Sequence, residues 1–174
     1  MNIRVARQLE EAGSELPIAG PGGFQSTLIL APPGAGKTTL LRELCRRLSE
    51  RFRVAVADER YEIAACSGGA PRFHIGQCDI MSGGKKRETI PMLLRSMSPQ
   101  ILAVDEITEE EDCRSLLSCG CQLLATAHGS TLADLTRRPA YQGLLAAGAF
   151  RQVILIQTQE GCRSYTLQPM PQVL

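Results

Sequence analysis

An α/β fold, with a mostly parallel sheet and helices on both of its faces, is predicted by three features of this sequence. Short apolar runs recur along the chain. Segments with apolar residues at helical spacing lie between them. Gly, Pro and paired acids mark the junctions. Strands that alternate with helices pair in parallel, because each crossover helix returns the chain to the same end of the sheet.

The elements follow in order. Residues 1–12 read as a short amphipathic helix, with Ile3, Val5 and Leu9 among charges. Residues 13–23, rich in Gly and Pro, read as a loop. Residues 26–31 (STLILA) form a first buried strand. Residues 37–49 form a helix, with Leu40, Leu41, Leu44 and Leu48 on one side and Arg42, Glu43, Arg46 and Arg47 on the other. Residues 54–58 (VAVAD) are a second strand, and the polar, Gly-rich residues 68–84 a loop. Residues 88–97 predict a helix that tolerates Pro91 only near its first turn. A strand at 101–105 (ILAVD), a helix at 110–117, a strand at 122–126 (QLLAT) and a helix from about Thr131 come next. Residues 153–157 and 164–167 read as a closing pair of strands.

The bulk composition sets limits. A chain of 174 residues holds one α/β domain with a proper core and not two of typical size, so residues 1–174 read as a single unit with 1–24 leading into it. Apolar residues are 44% and charged residues 21%, an ordinary globular balance. The net charge of +1 provides no field that would draw the whole surface to nucleic acid, and no nucleic-acid partner is expected. Seven cysteines is an odd count. Cys119-Gly-Cys121 is the close pair, and His74 and His128 stand far apart, so zinc spacing is missing. Reduced, mostly buried thiols in a cytosolic protein are the simpler reading. No apolar run reaches the roughly 18 residues of a membrane span. The charges at Arg4, Arg7, Glu10 and Glu11 do not suit a signal peptide.

The motifs that carry chemistry sit where strands end. Ala31-Pro32-Pro33-Gly34-Ala35-Gly36-Lys37-Thr38 has Walker A spacing, with Ala31 in place of the first Gly. Small residues there let backbone N–H groups turn inward around an anion, and the positive end of the following helix faces the same place. Pro33, Gly34, Ala35, Gly36, Lys37, Thr38 and Thr39 are therefore read as an ATP site. Lys37 reaches the β- and γ-phosphates, Thr38 ligates Mg2+, and Thr39 faces the α-phosphate. A strand that ends in Asp105-Glu106 delivers Asp105 to Mg2+ and leaves Glu106 to polarise an attacking water. This acid pair favours water over a small molecule as acceptor.

Two further strand ends converge on the same place, because ligands of open α/β sheets gather at the carboxyl ends of strands. Asp58-Glu59-Arg60 is read either as a solvated, salt-bridged turn or as part of the site. His128 is placed to hydrogen-bond the γ-phosphate or the water, with a structural histidine as the alternative. Met81-Ser82-Gly83-Gly84-Lys85-Lys86-Arg87 is similar to the signature motif of ABC transporter ATPases. The stretch from Lys37 to Ser82 is too short for their helical subdomain, and Ile107 stands where they have Pro. The segment is read as a basic, flexible loop with no assigned role.

Taken together the segments resemble the stage III sporulation AA family of ATPases, which is similar to the type II and type IV secretion ATPases. The pieces that carry the resemblance are 32–42 (PPGAGKTTLLR), 58–64 (DERYEIA), 94–99 (LRSMSP), 105–107 (DEI) and 125–130 (ATAHGS). The resemblance implies a RecA-like P-loop NTPase fold and hydrolysis of Mg-ATP to ADP and phosphate. It implies a homo-oligomeric, hexameric ring, and a sporulation or secretion membrane channel energised or assembled from the cytoplasmic, mother-cell side. By motif, Glu59 matches the acidic box and His128 the histidine box of secretion ATPases. Arg60 and Arg95 become candidates for charge stabilisation, in cis or across a subunit boundary. The family's N-terminal domain is not in this chain, which reads as an excised ATPase domain or a short relative. An ABC-like or nucleic-acid-handling ATPase and a nucleotide-binding scaffold with little turnover are the alternatives. Which of Glu59 and Glu106 is the dominant base stays open.

Overall fold

The structure, a computed structural model, describes residues 12–159 and 162–171. The predicted helix at 1–12 thus falls, apart from Ala12, outside the described residues. The segment read as a loop at 13–23 contains β1 (Ala19–Gly20) and the first residue of β2 (Gly23–Phe24), which form a small antiparallel hairpin. Leu16, Ile18 and Phe24 around it are buried.

The main sheet is built from β3 (Thr27–Ala31), β4 (Val54–Asp58), β5 (Cys78–Ser82), β6 (Ile101–Val104), β7 (Gln122–His128), β8 (Gln152–Gln159) and β9 (Cys162–Pro169). Their order across the sheet is β5-β4-β6-β7-β3-β8-β9. All neighbours pair in parallel except β8 with β9, an antiparallel hairpin at one edge. Strand residues alternate between two cores, as the pleat requires. Ile29, Val54, Val56, Ile101, Ala103 and Leu124 face one side, where α1 (Lys37–Leu48) lies. Leu28, Leu30, Ala55, Leu102, Val104 and Ala125 face the other. There α2 (Lys86–Met97), α3 (Glu110–Leu117), α4 (Leu132–Thr136) and α5 (Pro139–Ala146) cover the sheet.

The helix α1 forms because its leucines recur every three to four residues and all face the sheet. Leu40, Leu41, Leu44 and Leu48 are at most 2% exposed, and each such burial contributes about 1.5–3 kcal/mol. Arg46 and Arg47 sit in the last turn, where cations suit the helix dipole. Arg47 also donates to the Gly13 and Leu16 carbonyls at 2.8 and 3.0 Å, tying the N-terminal segment down.

Three expectations are corrected. Residues 78–82, read as loop, are β5: alone they look like a polar turn, but they complete the open edge of β4 from Val54↔Cys78 to Asp58↔Ser82. The helix α2 starts at Lys86 rather than Glu88, so Pro91 lies inside it, beyond its first turn. The helix expected from Thr131 is two, because Pro139 begins a new one at its first turn. Between α1 and β5 the chain forms β4 and a loop but no helix, so no helical subdomain of the ABC kind stands there.

Candidate functional site

Parallel pairing puts the carboxyl ends of β3, β4, β6 and β7 on one edge of the sheet. Register sets who meets whom: Ala31 lies beside His128, and Val104, just before Asp105, beside Ala125. Residues far apart in sequence become neighbours for this reason alone.

The loop read from the sequence as phosphate-binding follows β3. Gly34 and Gly36 have φ of +76° and +99°, a region that residues with a Cβ enter at a cost. Gly36 is the N-cap of α1 and its carbonyl accepts the Leu40 N–H at 3.0 Å. Lys37 is 7% exposed. Its ammonium donates to the Ala31 and Pro32 carbonyls, each at 3.0 Å, and meets His128 Nδ1 at 2.7 Å. An ammonium only donates, so Nδ1 accepts, and this network assigns the proton of the neutral ring to Nε2. That nitrogen lies 2.8 Å from Glu106 Oε2. Arg138 Nη1 is 3.9 Å from the other oxygen of Glu106. A continuous polar line thus runs from the phosphate loop to the acid at the end of β6. A cavity of about 370 Å³ opens beside Glu106, against Arg138 and Tyr141.

The acidic edge is built differently. Asp58 is fully buried, and its two oxygens accept three backbone N–H groups, from Glu62 at 2.8 Å, Ile63 at 3.1 Å and Ala64 at 2.9 Å. Arg42 holds the same turn from the other side, donating to the Ile63 and Glu62 carbonyls at 2.7 Å and lying 3.9 Å over the Phe73 ring. Asp58 therefore shapes the turn that carries Glu59. Tyr61 and Ala65 in that turn have φ of +56° and +50°, strain of the kind that only a well-fixed loop sustains. Glu59 and Asp105 are joined by Lys86, whose Nζ lies 2.8 Å from Glu59 Oε2 and 2.5 Å from Asp105 Oδ1. Burial works to lower the pKa of Lys86, but Asp105 and then Glu59 outweigh it and hold the ammonium above the ordinary lysine range. Lys86 is 1% exposed, which corrects its reading as part of a flexible surface loop.

The structure thus brings together Lys37, Glu59, Asp105, Glu106 and His128. Thr38 and Thr39 stand half-buried in the first turn of α1, with Pro33, Gly34 and Ala35 in the loop before it. Arg60 is exposed beside Glu59. Arg95 lies in the last turn of α2, roughly 13 Å along the helix from Lys86, so this chain's own fold does not carry it to the cluster. Sequence reasoning missed three cations. Lys86 was read as part of a basic loop ahead of the helix, whereas it opens α2. Arg138 precedes Pro139 with no motif around it. Arg163 reaches the loop from β9: a Cβ on Gly36 would stand 3.0 Å from its guanidinium carbon.

The family model described as "Sporulation stage III, protein AA" matches residues 1–165. The chain is 38% identical over 171 residues to Stage III sporulation protein AA of Bacillus subtilis (strain 168), covering 92% of this chain and 56% of that protein. It thus spans little more than half the length of that relative. Among solved structures, the ATPase DotB of Legionella pneumophila superposes with a TM-score of 0.60 at 16% identity, over 92% of this chain and 50% of that one. The pilus retraction motor PilT, solved with bound ADP, gives 0.60 at 14% identity, over 83% and 47%. The fold is accordingly the one those ATPases share, an α/β fold with a mostly parallel central sheet flanked by helices. With a family model matching nearly its whole length, the chain belongs to the sporulation stage III, protein AA family.

Proposed function

We propose that this chain is a single ATPase domain that binds Mg-ATP at residues 31–39 and hydrolyses it to ADP and phosphate. The observation that carries this reading is the line Lys37–His128–Glu106, which ties a phosphate loop to a carboxylate.

The residues fit the groups they are asked to hold. The positive φ of Gly34 and Gly36 bends the backbone between β3 and α1 as an anion-binding loop requires, and Lys37 rests on carbonyls, acceptors that a phosphate oxygen outcompetes. Among the described residues no cluster of three or more His, Cys, Asp or Glu side chains forms a metal cage. That suits Mg2+, which takes one or two protein oxygens and completes its shell with water and phosphate. Thr38 and the carboxylate oxygen of Asp105 that Lys86 does not engage would hold it, and the ion would neutralise charge on the phosphate oxygens.

The chain's own residues do the rest. Water attacks the γ-phosphorus, the bond to the β–γ bridging oxygen breaks, and the water's proton passes to Glu106. The Nε2–H of His128 donates to Glu106 and fixes its direction. Glu59 is engaged with the ammonium of Lys86, so this reading gives the role of base to Glu106, which lines the cavity.

Family membership supports a place in a sporulation or secretion-type complex, as a ring of copies acting on a membrane channel from the cytoplasmic side. Among the described residues no helix is long and apolar enough to cross a membrane. Arg95 stands between Met92 and Met97, which are 51% and 42% exposed, a surface suited to a neighbouring copy.

The test is Mg-dependent ATP hydrolysis across a protein concentration series, beside Lys37→Ala and Glu106→Gln. Activity that rises faster than linearly and is lost by at least 100-fold in both variants is expected (roughly 3 kcal/mol of barrier). Binding of ATP without turnover at any concentration would leave a nucleotide-binding scaffold instead.

A further inference from the structure

Lys86 has no part in the reaction as written, yet it is the most deeply buried cation of the described residues. Its ammonium lies between Glu59 and Asp105, at 2.8 and 2.5 Å. An ammonium leaves water at a cost of several kcal/mol unless carboxylates take it up. The converse holds too. Glu59, Asp105 and the buried Asp58 crowd the ends of two neighbouring strands, and without a cation they repel one another. Three structural elements meet in this arrangement: the turn after β4, the end of β6 and the start of α2.

We propose that Lys86 is a built-in counter-cation of the acidic edge, filling the place between Glu59 and Asp105 where a metal ion would otherwise be drawn, and fixing the two carboxylates. It is a positioning residue, because it acts through those acids. Its part in hydrolysis rests on the ATPase reading above; its part as counter-cation does not.

Thermal melting of the full chain without nucleotide, with and without Mg2+ or Mn2+, separates the two. Lys86→Met is expected to melt roughly 10 °C lower and to recover part of that loss when the divalent ion is added, a response larger than the unsubstituted chain shows. Lys86→Arg, which keeps the charge, is expected to recover without the ion. Melting of Lys86→Met at the original temperature, or indifference to the ion, overturns the proposal. If Lys86→Met gives no folded protein, the triple variant Lys86→Met, Glu59→Gln, Asp105→Asn removes the charges it neutralised and is expected to fold; its failure also overturns the proposal. In the hydrolysis assay, loss in Lys86→Met with rescue in Lys86→Arg supports the positioning role, and equal rates in all three chains refute it. A chain that never turns over ATP leaves the melting result intact.

Discussion

Lys37 and Lys86 are both buried at the carboxyl edge of the sheet, 7% and 1% exposed, yet different kinds of group hold them. Lys37 rests on two carbonyls five and six residues away in its own loop, and on a neutral imidazole. Lys86 rests on two carboxylates from separate strand ends. Carbonyl dipoles hold an ammonium weakly enough to give it up to a phosphate, whereas full charges in a dry place keep it. The phosphate loop is thus arranged for exchange and the acidic edge for permanence.

The largest effect should come from attacking the permanent side. Asp58→Ala leaves three N–H groups, two of them buried, without their acceptor and is expected to cost about 3–5 kcal/mol in urea denaturation. A loss below about 1 kcal/mol would mean that water replaces the carboxylate, and that the edge is as exchangeable as the loop. On the exchangeable side, Lys37→Met is expected to cost about 1 kcal/mol of stability while removing ATP binding, because it gives up hydrogen bonds to the Ala31 and Pro32 carbonyls and to the His128 ring rather than to carboxylates. A stability loss as large as that of Asp58→Ala would erase the contrast.

The smallest effect concerns the opposite, amino-terminal end of β7. There the Cys121 thiol hydrogen-bonds Cys119 and, against burial, lowers its pKa to about 7. Burial, with Asp112 adding to it, pushes Cys113 up to about 11. The thiolate is the reactive form. Alkylation at Cys119 should therefore rise as pH passes 7 and level off, while Cys113 stays inert until far more alkaline pH. Peptide mass spectrometry reads both, and equal rates at pH 8 would count against this.

The same contrast explains what the sequence disclosed. The phosphate loop is legible because its shape comes from adjacent residues: Gly34 and Gly36 supply the positive φ, and Lys37 follows at once. Asp105, Glu106 and His128 were found as strand ends, although β7 runs on to His128 rather than stopping at Thr126. Lys86 was not legible, because its acceptors come from positions 59 and 105 and meet only once β4, β6 and α2 have packed. The strand β5 was hidden for the same reason, its pairing being supplied by β4. Arg163 is carried to Gly36 by the β8–β9 hairpin, and no local pattern around it announces that.

Strand order has one more consequence. A single strand, β7, stands between β3, which carries the phosphate loop, and β6, which carries Asp105 and Glu106. Two ladder spacings make a gauge of about 10 Å, set by backbone hydrogen bonds. Evolution can change the side chains that reach across that interval, but not the interval itself without re-pairing the sheet. His128, on the intervening strand, is the natural bridge over it, and its ring spans from Lys37 to Glu106.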